Sequence, residues 1–130
     1  MRTGERYLVD TNIIIDYFRG DSRLASRFTN HTILIPSIVV GELFYGANLS
    51  AKRRLRVIEV SNFIQNHIVV DVNAETSEFY GSLKAELKQA GTPIPENDVW
   101  IAALSKQHSL ILATKDNHFT KAKSIKVIFW

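Results

Sequence analysis

The chain has no cysteine, so neither disulfides nor thiolates are available to its chemistry. It holds only three prolines and six glycines, and the glycines form no Walker-type or dinucleotide-binding loop. No Gly-x-Ser-x-Gly elbow marks a serine nucleophile, and the histidines show no HExxH spacing. The longest apolar run, Ile33 to Leu43, contains Pro36 and Glu42 and is too short to span a bilayer. The N-terminal MRTGERYLVD lacks the apolar stretch of a secretory signal, so a cytoplasmic protein is expected. No internal repeat, low-complexity tract or linker is visible.

What remains is ordinary in bulk: 45% of residues are hydrophobic and 22% charged, as in a globular protein. A length of 130 residues suits one domain with one core, spanning 1–130. The net charge is +3, and the pI is about 9.3. A mildly basic surface is compatible with a nucleic-acid partner.

Apolar, β-type runs alternate with helical patterns. Tyr7–Asp10, Thr32–Ile35, Ile68–Val72, Leu110–Ala113 and Lys126–Phe129 read as strands. Helices are expected over Asn12–Arg19, Ser22–Thr29, Lys52–Asn66, Ala74–Ala90 and Glu96–Gln107, with one more from a cap at Ser37 to about Asn48. Gly91 stops one helix, and Thr92-Pro93-Ile94-Pro95 makes a rigid connection. Continuous apolar strands separated by helices predict an α/β fold, with a central parallel sheet of about five strands covered on both faces. Two helices lie between strands three and four, so one must run crosswise or reverse direction.

Four carboxylates lie beside apolar segments: Asp10 in LVDTN, Glu42 in SIVVGELFYGA, Asp98 in PENDVWIAAL and Asp116 in LATKDNHF. The predicted topology brings all four to the carboxyl edge of the sheet, where open α/β sheets bind ligands. Each has an ordinary alternative. Asp10 and Asn12 could cap a helix, Asp98 could favour the positive end of a helix dipole, and Asp116 could stabilise a turn. Glu42 is harder to explain that way, because Ile38, Val39, Val40, Leu43 and Phe44 surround it on its helix. Two carboxylates ~4 Å apart repel by roughly 4 kcal/mol at an effective dielectric of about 20, so several together need a cation or must protonate. Oxygen-only ligands suit Mg²⁺ or Mn²⁺ rather than Zn²⁺. Such an ion can activate water against a phosphodiester.

Other features are open to bland readings. Lys52, Arg53, Arg54 and Arg56 could contact phosphate but read better as a solvated helix face. Lys115 adjoins Asp116 at the expected mouth of the site. His31, His67 and His108 are expected in loops or at the surface, while His118 is close enough to Asp116 to touch RNA. Trp100 is expected in the core rather than as a base-stacking platform. Phe44 and Tyr45 lie on different helical faces, so one of them is free for an interface.

Taken together, LVDTNIIIDYFRG, IPSIVVGELFYGA, NDVWIAAL and LATKDNHF resemble, in order and spacing, the motif blocks of the PIN-domain nucleases, most closely the VapC-type toxins of toxin–antitoxin pairs. The resemblance covers nearly the whole chain. It implies a three-layer α/β/α sandwich, Mg²⁺- or Mn²⁺-dependent endoribonuclease activity, an RNA substrate, an antitoxin partner and a homodimer. By position, Asp10 and Asp98 match the most regular metal ligands of the family. Glu42 and Asp116 complete the pocket, and Asn12 and Thr114 match supporting polar positions. His118 stands where many relatives have an acid. Two competing functions remain: a PIN-like module that binds RNA or protein without cutting, and a haloacid dehalogenase-type phosphatase. The phosphatase would need a second acid where Asp10-Thr11-Asn12 has asparagine.

Overall fold

The computed structural model describes residues 5–130; residues 1–4, which hold part of the stretch read for a secretory signal, lie outside it. Its strands are β1 (Arg6–Val9), β2 (Thr32–Pro36), β3 (Ile68–Val70), β4 (Ile111–Thr114) and β5 (Lys126–Phe129). Its helices are α1 (Thr11–Phe18), α2 (Ser22–Asn30), α3 (Ser37–Leu49), α4 (Arg53–Gln65), α5 (Ala74–Gln89) and α6 (Glu96–Gln107). A short 3-10 helix, Asn117–Lys121, was not expected from the sequence and carries His118.

All strand pairings are parallel, in the order β3-β2-β1-β4-β5. Leu8 of β1 lies level with Leu34 of β2 on one side and Leu112 of β4 on the other. The three central strands are buried nearly throughout, whereas β3 and β5 at the edges are only partly covered. This is the burial expected when a parallel sheet has helices on both faces. The sheet is built outward from β1 to β2 and β3, then crosses back to β4. Strands β1 and β4 therefore flank the point where the strand order reverses, and a crevice opens beyond their carboxyl ends.

Helices α5 and α6 resolve the ambiguity between strands three and four, because they form an antiparallel hairpin. The Thr76 hydroxyl donates to Gln107 at 2.6 Å near one end, Tyr80 stacks on Trp100 at 3.9 Å in the middle, and Lys84 pairs with Glu96 at 2.9 Å towards the other. The hairpin turns over residues 90–95, and Asn73 and Thr76 close a capping box at the start of α5. Helix α6 then descends from Glu96 into β4 and delivers Asp98 in its first turn.

Several expectations are corrected. Ser37 is the first residue of α3, not its cap; the cap position is Pro36, and the Ser37 hydroxyl instead accepts the Val72 amide at 3.3 Å. Trp100 is only half-buried, since it packs within the α5–α6 hairpin rather than in the core. His31 and His67 lie in loops, as expected, and both also pack against aromatic rings. His67 stacks on Phe63 at 4.1 Å, and His31 meets the edge of Tyr7 at 5.0 Å, within an aromatic cluster that includes Trp130. Lys52, Arg53, Arg54 and Arg56 are exposed, as a solvated face requires. Among the described residues no helix is long and apolar enough to cross a membrane.

Candidate functional site

Strand β1 ends at Val9, and the next residue, Asp10, turns the chain into α1. Its side chain caps that helix, with one carboxylate oxygen accepting the Thr11 amide at 2.8 Å. The other oxygen accepts the hydroxyl of Thr114, at the end of β4, also at 2.8 Å. Capping and clustering are thus one geometry: the cap fixes the carboxylate in the crevice between β1 and β4. Asp10 is only 6% exposed, and Thr114 is fully buried. Two ligand-free hydrogen bonds satisfy Asp10 without removing its charge.

Thr114 also accepts the Asp116 amide at 2.9 Å, which bends the chain after β4 back over the crevice. Asp116 in turn caps the 3-10 helix by accepting the His118 amide at 2.9 Å. Asn12 does not cap α1; its side-chain oxygen accepts the Lys115 amide at 3.3 Å and so ties the start of α1 to the exit of β4. Lys115 pairs its ammonium with Asp16 of α1.

Glu42 arrives from the second turn of α3 and is held there by the Thr11 hydroxyl, which donates to it at 3.1 Å. Asp98 arrives from α6, with one carboxylate oxygen 3.2 Å from Nδ1 of His118. The same ring nitrogen lies 3.0 Å from Asp116. Asp98, Asp116 and His118 each offer a ligand atom, and these atoms lie within 4.8 Å of one another. Asp10 and Glu42 stand beside this trio rather than in it, joined through Thr114 and Thr11. Among the described residues, the trio close enough to share an ion thus pairs two carboxylates with an imidazole nitrogen.

The electrostatics follow from the same convergence. Burial pushes Asp10 above the usual carboxylate range; Thr114 and the Thr11 amide pull it back, and the charge of Asp116 adds to the rise. Burial also raises Glu42, against the Thr11 hydrogen bond, and the charges of Asp10 and Asp98 raise it further. Asp98 is raised by burial, opposed by its contact with His118, and raised again by Asp10 and Asp116. Glu42 and Asp98 each feel Asp10 as a like charge, and Asp10 feels Asp116. Such mutual strain is what a cation relieves.

Sequence reasoning missed Thr11 as part of the site, and it placed His118 near Asp116 without foreseeing its contact with Asp98. Thr11 left no signal beyond its adjacency to Asp10. His118 carried one, since it follows Asp116 by two residues, but the 3-10 turn that folds its ring back onto Asp98 was not foreseen.

A groove of about 410 Å³ runs from Glu42 between α1, α3 and α4. Ile15, Phe18, Leu43, Ala47 and Val60 give it apolar walls, and Arg19, Arg56 and Glu59 add charge.

The PIN-domain profile matches residues 7–125 of the chain. The chain is 30% identical over 129 residues to ribonuclease VapC2 of Haemophilus influenzae, covering 96% of this chain and 98% of that protein. It is likewise 30% identical to the tRNA(fMet)-specific endonuclease VapC of Salmonella typhimurium, over 96% of this chain and 98% of that one. Among solved structures, VapBC2 of Rickettsia felis, bound to a DNA fragment from its promoter, contains a chain that superposes with a TM-score of 0.90. That chain is 27% identical, and the match covers 96% of this chain and 98% of that one. With a five-stranded parallel sheet, acids gathered beyond β1 and β4, and this near-complete match, the chain belongs to the PIN-domain family.

Proposed function

We propose that this chain is a divalent-metal-dependent endoribonuclease that hydrolyses RNA phosphodiester bonds, and that it is the toxin of a toxin–antitoxin pair. The observation that carries the reading is the convergence of Asp10, Glu42 and Asp98, each raised by burial and by its neighbours' charge, beside Asp116. Their hard carboxylate oxygens fit Mg²⁺ or Mn²⁺. Asp10 and Asp98 are the leading ligands, with Glu42 and Asp116 completing the pocket. When bound, the cation supplies Lewis acidity that makes a water nucleophilic near neutral pH and offsets charge on the phosphoryl oxygens.

The chain's own residues do the rest by holding shape. Thr114 fixes one oxygen of Asp10 and, through the Asp116 amide, the position of Asp116. Thr11 fixes Glu42 at the pocket's side, where its carboxylate can accept a proton from an attacking water. Asn12 holds the α1 start against the β4 exit. No side chain is needed as a covalent nucleophile. Asparagine at position 12, bonded to the Lys115 amide, disfavours the phosphatase alternative, which needs an acid there. The intact acid set disfavours a module that binds without cutting.

An antitoxin partner is supported by the groove leading from Glu42. Its apolar walls suit an amphipathic segment, and a basic side chain entering at Glu42 would meet the negative pocket. We also infer a homodimer. Tyr45, 68% exposed, and Leu49, 69% exposed, project from α3 as apolar surface to be covered, whereas Phe44 packs against the core.

Three outcomes follow for purified protein freed of antitoxin. Incubated with structured RNAs in Mg²⁺ or Mn²⁺, it cleaves. EDTA abolishes cleavage, and Asp10→Asn lowers the rate by about a hundredfold or more, the scale for removing one electrostatic contributor. Cleavage that persists in Asp10→Asn places the activity elsewhere.

The second outcome concerns stability. A carboxyl whose folded value is raised binds protons more tightly when folded than when unfolded. Its charged form therefore costs stability, increasingly as pH rises from the unfolded range of about 4 through the folded value. In EDTA, Glu42→Gln raises the Tm at pH 7 by a few degrees, and the gain shrinks to nothing as pH falls towards about 4. Thermal denaturation across that range checks the sign; a lower Tm for the variant at pH 7 contradicts it.

The third concerns the groove. Gly46 lines it, and a Cβ there meets nothing within 4 Å. Gly46→Trp, whose Cβ is accommodated, puts an indole in the groove and weakens antitoxin binding by about tenfold or more, a change of about 1.4 kcal/mol, with an unchanged Tm as the folding control. Light scattering on the same samples reports complex formation and the mass of the free toxin. Unchanged complex formation removes the groove assignment, and a monomeric free mass removes the homodimer.

A further inference from the structure

The ring of His118 is the one part of the site that the acidic motif leaves unexplained. Its Nδ1 lies 3.2 Å from Asp98 on α6 and 3.0 Å from Asp116 after β4. A single imidazole nitrogen is thus wedged between carboxylates from two separate elements. If that nitrogen carries hydrogen, it can bond well to only one of them. If it carries its lone pair, all three side chains offer ligand atoms, within 4.8 Å of one another. Two atoms bound cis to an octahedral ion at about 2.1 Å are about 3.0 Å apart, so the separation of His118 and Asp116, which also suits a hydrogen bond, is one that two ligands of a single ion can keep.

The fold supplies this placement deliberately. Asp116 accepts the His118 amide at 2.9 Å, and that bond starts the 3-10 helix that turns the ring inward. Phe119, fully buried next to it, anchors the turn in the core. The His118 side chain itself is still 44% exposed, so an ion and its waters can reach it.

We propose that His118 is a metal ligand, its Nδ1 joining oxygens of Asp98 and Asp116 on one divalent ion, and that this nitrogen makes the chain select Mn²⁺ over Mg²⁺. The proposal rests on the nuclease reading of the same site and goes beyond it by naming a mixed nitrogen–oxygen donor set. Imidazole suits first-row transition metals, whereas Mg²⁺ is held by oxygen. A site with this ring in its first coordination sphere should rank the two ions, not accept them equally.

The test uses the whole chain, freed of antitoxin and metal, and reads binding rather than turnover. Calorimetric titration with Mn²⁺ and with Mg²⁺ is run on the wild type, His118→Asn and His118→Asp, each first checked for an unchanged Tm in EDTA. The wild type binds Mn²⁺ at least about tenfold tighter than Mg²⁺. His118→Asn loses about tenfold in Mn²⁺ affinity and little in Mg²⁺ affinity, while His118→Asp brings the two ions closer together. Pulsed electron paramagnetic resonance of the Mn²⁺ complex shows coupling to a histidine nitrogen in the wild type and none in His118→Asn. Tight Mn²⁺ binding without that coupling overturns the proposal while leaving the acidic site intact, and assigns His118 to substrate contact instead. Binding of neither ion to the wild type overturns both the proposal and the metal-dependent reading.

Discussion

A carboxylate that is almost wholly buried among other carboxylates is the constraint around which this molecule is organised. Asp10 keeps 6% of its surface exposed, and burial, not any single neighbour, is the main force raising it above the ordinary range. A lone buried acid of this kind would be replaced or protonated at little loss. Here it is held in place by two hydroxyl and amide donors while Glu42 and Asp98 are brought up against it. Burial and like charge raise these acids together, and a cation in the crevice would relieve that repulsion.

The rest of the architecture serves this convergence. A parallel sheet that reverses its winding between β1 and β4 leaves an opening beyond those two strands, and two of the acids follow directly from their ends. The other two come from the helices α3 and α6, whose early turns start near that edge. Threonines do the local work. Thr114 links Asp10 to Asp116, and Thr11 links the start of α1 to Glu42. Each makes two hydrogen bonds, and together they tie Asp10, Glu42 and Asp116 into one group, which Asp98 joins through His118.

How much of this was readable beforehand follows from what kind of interaction decides each feature. The five strands and six helices were legible because apolar periodicity and Gly or Pro punctuation are local signals. The sheet order was not, since pairing between strands depends on contacts far apart in the chain. The direction of α5 likewise depends on Gln107, Trp100 and Glu96 meeting it, which no local pattern announces. Asp10, Glu42, Asp98 and Asp116 stood out because charge beside apolar segments is costly, and the PIN-domain motif joined them. Ser37 looked like a cap by residue type, but Pro36 took that position and freed the hydroxyl for Val72. His118 was legible as a neighbour of Asp116 but not as a contact of Asp98, because a 3-10 turn of five residues has no periodicity to read.

The account stands or falls on whether the crevice holds a cation. Crystals of the wild type grown in Mn²⁺ and measured at the manganese absorption edge would locate it directly by anomalous scattering. The account predicts a peak in the crevice beyond β1 and β4, within about 2–2.5 Å of carboxylate oxygens from that acidic group. A map with manganese only at lattice contacts or scattered surface acids, and none in the crevice at saturating Mn²⁺, would contradict it.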